Sequence, residues 1–211
     1  VLRPVRPVLV LGPEGGLREA IDSLPGRPTF FESGQGFSFT LVPFTLTPPK
    51  AAADTLVHVG TGRRYAIHTY HAGSGALVRV TRLAREPRPV TEADIERGIA
   101  EGLDRVADDE ARARLRASYD AMPLPDTMPF YRAFVVDRTG HLWVEDYRAH
   151  SGDPRRWTVF DPDGAALGTL TLPPGLTVYE IGEDWILGLR RDELDIPYVV
   201  LHRLERGPAS S

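Results

Sequence analysis

The sequence contains no cysteine, and only one of its 211 residues, Lys50, is a lysine. Without cysteine the chain has no disulfides, no thiolate metal sites and no cysteine nucleophile. Its positive charge is almost entirely arginine, whose planar guanidinium group binds carboxylates and phosphates through paired hydrogen bonds. Arginine-rich surface patches are therefore candidates for an interface.

The sequence also lacks an apolar run near the roughly 20 residues that a membrane-spanning helix needs. It begins at Val1 without a signal peptide, so we expect either a processed chain or part of a longer one. The formal net charge of −4 gives no general attraction to nucleic acid or anionic lipid. With 42% hydrophobic and 26% charged residues, the composition is that of a folded globular protein.

Short apolar runs separated by turn residues dominate the chain. The clearest turns begin at Asp137 and Asp161 and end at Gly140 and Gly164, where glycine supplies the positive φ of a type I turn with a bulge. Turns recur about every 8 to 12 residues, as in an all-β sandwich, barrel or propeller. Three variants of strand, turn and strand, with a period of about 40 to 45 residues, favour a propeller with four strands in each unit.

Residues 91–122 break this pattern. Thr91 and Asp94 form a capping box at the start of a helix. A stripe of apolar residues follows at helical spacing: Ile95, Ile99 and Leu103. Asp108 caps a second helix, which ends at the prolines from position 123 onward. The sequence therefore predicts a helical hairpin whose apolar stripe packs on the β body or on a partner.

Residues 134–147 resemble a blade hairpin of the bacterial six-bladed β-propellers of the NHL/TolB-like type, and residues 157–170 do so too. The C-terminal segment 180–204 is also similar. Residues 89–94 match a helical insertion found in one secreted or lipid-anchored subgroup. The resemblance covers residues 37–206, and it implies a fold without implying an activity.

The resemblance implies three blades, at residues 37–83, 131–172 and 176–204, the last with one strand missing. Six blades of about 40 residues need roughly 240 residues, so the chain corresponds to the C-terminal half of a propeller. The open strand edges of a half-ring invite pairing with another chain. We expect a mainly β fold of partial, three-blade propeller-like antiparallel sheets, with an N-terminal extension at 1–36 that holds one short strand and a tail at 207–211.

Side chains that could perform catalysis or bind metal also have a structural interpretation. His68 and His71 point to opposite faces of a strand, so His58 could join only one of them at a metal. The acidic residues near hairpin turns are candidates for calcium binding or acid–base chemistry, although turn capping is the favoured interpretation: Asp137, Glu145, Asp146, Asp153, Asp161 and Asp163. Glycine-flanked serines at residues 33–36 and 73–75 lack the spacing of a nucleophile elbow. We expect no catalytic set, no metal and no cofactor.

Tryptophan and arginine residues are the candidates for a binding surface. Trp143, Trp157 and Trp185 fall in predicted strands, where packing between blades is the main interpretation and an interface anchor the alternative. Loops at 148–156 and 190–193 are candidates for the binding face of a propeller. The interface candidates are Trp185, Arg190, Arg191, Asp192, Arg155, Arg156, Ile95, Ile99 and Leu103.

Together with the resemblance, these observations predict a non-enzymatic interaction or scaffold domain outside the cytoplasm. We expect an accessory or structural subunit of a larger envelope assembly, such as a membrane-associated respiratory or photosynthetic complex. Its protein partner would pair with open sheet edges or with the helical hairpin, and we expect no nucleic-acid partner. The alternative is a propeller-type hydrolase or lyase that depends on a metal in a central channel. A small-ligand sensor module is a third class.

Overall fold

The structure, a computed structural model, describes residues 1–33, 37–150 and 152–207. Strands make up most of its regular structure, and all strand pairs are antiparallel, so the predicted mainly β fold is confirmed. Among the described residues, no helix has both the length and the apolar character needed to cross a membrane.

The N-terminal region holds two hairpins. Strand β1 (Val5–Leu11) pairs with β2 (Leu17–Pro25), and β3 (Thr29–Ser33) pairs with β4 (Phe37–Leu41). The prediction of one short strand in residues 1–36 is therefore wrong, because three strands begin there. The turn at Gly12 to Gly16 is closed by hydrogen bonds of 2.8 and 2.9 Å, and this tight turn sets β2 against β1 despite the polar sequence of β2.

The first sheet is a four-stranded meander. Its strands follow one another in chain order as β5 (Lys50–Ala53), β6 (Leu56–Val59), β7 (Ala66–His71) and β8 (Leu77–Arg82). This sheet begins at residue 50, and not at residue 37 as predicted, because β4 pairs with β3 in a separate hairpin.

The predicted helical hairpin is confirmed between β8 and the next sheet. Helix α1 (Glu92–Leu103) begins at the Thr91 capping box, in which the Asp94 N–H donates to the Thr91 hydroxyl at 3.2 Å and the Thr91 N–H donates to Asp94 at 3.1 Å. Helix α2 (Asp109–Ala121) begins at Asp108, whose carboxylate accepts from the Ala111 N–H at 2.6 Å. These caps fix where both helices start.

The second and third sheets complete the described chain. The second sheet contains β9 (Tyr131–Val136), β10 (Leu142–Asp146), β11 (Arg155–Phe160) and β12 (Ala166–Leu172). The third contains β13 (Thr177–Ile181), β14 (Trp185–Arg191) and β15 (Pro197–Arg203). Both are meanders in chain order, and the third has three strands, as predicted.

The sheets stack face to face, with a core between each pair of neighbours. The N-terminal hairpin packs on the first sheet through Val8, Ile21, Leu24 and Val59. Buried side chains between the first and second sheets include Ile67, Tyr131 and Phe160. Those between the second and third include Trp143, Trp157, Ile181 and Ile186.

Strand β9 lies beside both β5 and β13, so the first strands of the three sheets are neighbours. Consecutive blades of a propeller have this relationship, in which the innermost strands converge on a common axis. The described residues therefore form a partial, propeller-like arrangement, and no ring closes within them.

Candidate interaction surface

The third sheet has one apolar face that no other part of the described chain covers. Ile186 is buried against the second sheet, so by strand alternation Leu187 and Leu189 lie on the opposite face. Leu187 pairs with Leu201 and Leu189 pairs with Val199. We call these four residues the outer face. Val199 is 76% exposed and Leu201 is 67% exposed.

Polar residues border the outer face. Glu180 pairs with Leu187 from the neighbouring strand, and its carboxylate lies 2.7 Å from the Arg138 guanidinium group. Thr177 pairs with Leu189, and Arg203 lies at the far end opposite Trp185. An apolar centre with a charged and polar rim is typical of a protein interface.

The outer edge of the third sheet is also open. Strand β15 pairs with β14 on one side, and no strand of the described residues lies on its other side. The first and second sheets both have a fourth strand at the corresponding position. An open edge offers backbone N–H and C=O groups to an added strand, and three exposed apolar side chains, Tyr198, Val199 and Leu201, lie along it.

The predicted residues around the β14–β15 turn lie at one end of this surface. Trp185 is half-buried, and the Arg138 guanidinium group lies 5.5 Å from its ring centroid. Arg190 and Arg191 are exposed. Asp192 closes the turn, because its carboxylate accepts from the Leu194 and Ile196 N–H groups at 2.9 Å each. The Ile196 hydrogen bond is the main reason that the pKa of Asp192 lies below its usual value.

The 148–156 loop contains two predicted interface residues, Arg155 and Arg156, whose environments differ. The side chain of Arg155 is 14% exposed and faces the buried carboxylate of Glu145 at 3.8 Å. Arg132 and Arg148 reach the same carboxylate oxygen at 3.2 and 3.3 Å. Burial, together with the neighbouring arginines, lowers the pKa values of Arg148 and Arg155. Arg155 therefore belongs to an internal ion cluster, whereas Arg156 is exposed.

The helical stripe is largely covered by the chain itself. Ile99 is buried and Ile95 and Leu103 are half-buried, so the prediction of Ile99 as a partner contact is wrong. The His150 ring lies between the Asp94 and Glu101 carboxylates of α1, with both N···O distances 3.4 Å. These contacts hold α1 against the loop that precedes β11.

The acidic turn residues have the structural role that the sequence favoured. Asp137 and Asp161 each cap their own turn by accepting from backbone N–H groups two and four residues ahead. Glu145 and Asp146 form ion pairs with arginines. A search of the described residues finds no group of three or more His, Asp or Glu side chains arranged to hold a metal ion.

The histidine candidates His58 and His71 have different neighbours. His58 is buried and its Nδ1 lies 3.0 Å from the Thr69 hydroxyl oxygen. Burial, reinforced by Arg79, lowers the pKa of His58 to about 4. The Ser74 hydroxyl lies 3.2 Å from His71 Nδ1 in an exposed turn. Of the predicted 33–36 segment, residues 34–36 lie outside the described residues.

The outer face was not predicted, although the sequences of β14 and β15 contain a pattern that indicates it. Strands β14 and β15 carry apolar residues at both odd and even positions, a pattern typical of a strand that is covered on both faces. In the structure only one of these faces is covered. No protein-family model matches the chain, and a search of curated proteins finds no match.

Proposed function

We propose that the chain is a non-enzymatic interaction domain whose third sheet binds a β-structured protein partner. The uncovered outer face supports this most directly. The first and second sheets each pack against a neighbour on both faces, whereas Val199 and Leu201 on the outer face of the third sheet are exposed. Burying Val199 and Leu201 would contribute about 1.5–3 kcal/mol for each side chain.

The partner extends the stack by one layer. It adds a strand to the open edge of β15 and lays an apolar sheet face on the outer face, as the second sheet does on the inner side. The resemblance to NHL/TolB-like propellers supports this geometry, since the next blade of such a ring occupies that position. On the same resemblance, the domain acts outside the cytoplasm as an accessory subunit of an envelope assembly.

A site-specific photo-crosslinking experiment tests the proposal. A photoreactive phenylalanine at position 199 should give one discrete protein adduct in cells that produce the protein natively. Leu167 on β12 is the matched control, because it is also an exposed edge-strand residue, at 58% exposure. The same probe at position 167 should give no such adduct.

The substitution Leu201→Glu distinguishes specific binding at the outer face from chance contact. Leu201→Glu places a charge on the outer face and should abolish the adduct at position 199, while the thermal unfolding midpoint stays within about 3 °C. In the complex, hydrogen exchange of the outward-facing β15 amides should slow. An adduct of equal yield at both probe positions, or one that survives Leu201→Glu, would contradict the proposal.

A further inference from the structure

A groove of about 1010 Å³ lies beside the N-terminal hairpin and the first sheet. Its lining includes Arg3, residues 22–26 at the end of β2, and residues 125–129. Val59 and Ala66 of the first sheet also line it. Small-molecule sites are concave and enclose about 300–1,000 Å³, so the groove has the size of a ligand site.

The charge of the groove is unbalanced. The lining contains His68 and four arginines, Arg3, Arg63, Arg64 and Arg82. It also contains two carboxylates, those of Asp22 and Asp126. In the part of the chain that the structure describes, none of these four arginines forms an ion pair. Asp22 also accepts a hydrogen bond from the Tyr70 hydroxyl at 2.9 Å. Positive charge therefore remains uncompensated around an open cavity.

The groove brings four arginines without ion pairs together, whereas other such arginines of the described residues, including Arg105 and Arg156, lie outside its lining. Many of the remaining arginines have carboxylate partners, such as Arg85 with Asp146 at 2.9 Å and Arg88 with Asp94 at 2.7 Å. Like charges held on neighbouring loops repel one another, and a bound anion would remove that repulsion. Arg63 and Arg64 lie in the connection between β6 and β7, and Arg82 is the last residue of β8, so all three belong to the first sheet or its loops.

The wall of the groove contains a strained residue. Phe44 lines the groove and is buried, and its backbone φ is 55°, a left-handed value that is rare for a bulky side chain. Its ring lies close to Gly98 of α1, where a Cβ would approach it at 3.2 Å. Such strain persists only where the surrounding structure enforces it, and it is common at ligand sites. The hydroxyl groups of Thr61 and Thr127 add hydrogen-bonding capacity nearby.

We propose that the groove binds a small molecule that carries at least two negatively charged oxyanion groups, phosphates or carboxylates. Each guanidinium fork matches one such group through paired charge-assisted hydrogen bonds. Four arginines set against the carboxylates of Asp22 and Asp126 leave an excess of two positive charges, which a ligand with two oxyanion groups would balance. This inference does not depend on the proposed partner of the third sheet.

Titration calorimetry at about 0.15 M ionic strength tests the site, with inorganic pyrophosphate and citrate as separate probes. At least one probe should bind with 1:1 stoichiometry, and which one binds more tightly distinguishes phosphate from carboxylate recognition. The triple variant Arg63→Gln, Arg64→Gln, Arg82→Gln should lower the affinity at least about tenfold, because charge-assisted hydrogen bonds are lost. These side chains are exposed, so we expect the variant to remain folded.

A charge-matched control excludes nonspecific attraction. The variant Arg105→Gln, Arg114→Gln, Arg116→Gln removes three arginines from the helical hairpin, which lies outside the groove lining. It should change the affinity by less than about twofold, since long-range attraction is largely screened. Binding of neither probe, or an equal loss of affinity in both triple variants, would overturn the proposal. A thermal scan of each variant checks its folding.

Discussion

The indole N–H of Trp143 donates to the buried carboxylate of Asp137 at 2.9 Å. The same carboxylate oxygen accepts from the Arg206 guanidinium group at 2.8 Å, and the other oxygen accepts from the Thr139 and His141 backbone N–H groups. A turn residue of the second sheet thereby holds a core tryptophan and the segment that follows β15. The Asp137 side chain is fully buried.

Asp137→Asn should therefore destabilise the fold by about 2–4 kcal/mol, because an amide cannot accept on both sides and leaves a buried donor unpaired. Asp161 is the matched control, since it caps an equivalent turn without a tryptophan or an arginine partner. Asp161→Asn should cost less than about 1 kcal/mol, because asparagine also favours such turns. Urea denaturation measures both values, and equal losses would show that turn capping alone explains Asp137.

Asp137 also predicts an acid-dependent loss of stability. Burial disfavours its ionised form, but the hydrogen bonds from Trp143, Arg206, Thr139 and His141 outweigh burial and lower its pKa to about 2. An unfolded aspartate titrates near about 3.9. As the pH falls, the unfolded chain takes up this proton first, so the stabilisation is complete above about pH 4 and is lost toward about pH 2. The stability difference between wild type and Asp137→Asn should shrink across that range, and a constant difference would contradict this role.

His58 predicts a second dependence at higher pH. Its pKa in the folded protein is about 4, whereas an unfolded histidine titrates near about 6.5. Between these values the unfolded chain binds a proton that the folded chain rejects, so the free energy of unfolding falls as the pH drops, by up to about 3 kcal/mol.

His58→Gln should reduce the decrease in stability between about pH 7 and pH 4.5, measured by urea denaturation. Thr69→Val is the control, because it removes the hydrogen-bond partner of His58 and keeps the imidazole. That variant should have a lower free energy of unfolding at every pH, and this free energy should change with pH as it does in the wild type. If His58→Gln kept the full wild-type slope, the source of the proton uptake would lie elsewhere.

Gly60 allows close packing between the first and second sheets. A Cβ at this position would overlap the Tyr131 hydroxyl, which donates to the Ala66 carbonyl at 2.7 Å. Gly60→Ala should therefore cost about 1–3 kcal/mol through overpacking. At Gly16 no atom lies within 4 Å of the added Cβ, so Gly16→Ala should change stability by less than about 1 kcal/mol. Thermal unfolding measures the pair, and similar shifts in both would contradict the steric explanation.

Asp94 connects the start of α1 to the β body. It accepts from Thr91 and from Arg88, and it faces His150. Asp94→Asn should speed hydrogen exchange in α1, because asparagine carries no charge to pair with Arg88 and replaces one acceptor oxygen by a donor. Asp108→Asn should leave exchange in α2 almost unchanged, since asparagine is an equally good N-cap. Equal acceleration in the two helices would show that the surrounding contacts of Asp94 contribute nothing.

Local chemistry explains why much of this fold could be predicted. The turns at Asp137 and Asp161 and the caps at Thr91 and Asp108 act through residues within four positions, so the second sheet and both helices follow from short segments of sequence. Strand β2 could not be predicted in this way. Its buried residues Ile21 and Leu24 do not alternate, and its pairing depends on the preceding turn.

The candidate sites depend on distance relationships that sequence alone does not contain. The groove brings together Arg3, Arg63, Arg64 and Arg82, which come from three separate parts of the chain. To predict the outer face, one must know which of the two apolar faces of the third sheet is covered by the second sheet. Arg155 illustrates the opposite error. It was predicted as an interface residue, but its side chain lies beside the buried carboxylate of Glu145.

The meander order of the sheets has a consequence for how the chain folds. In every sheet of the described chain, each strand pairs only with its immediate neighbours in sequence. Closing these short loops costs little chain entropy, and proteins rich in local contacts fold rapidly. Each sheet can therefore assemble during synthesis as soon as its own strands have left the ribosome, and docking of the layers follows as a later event.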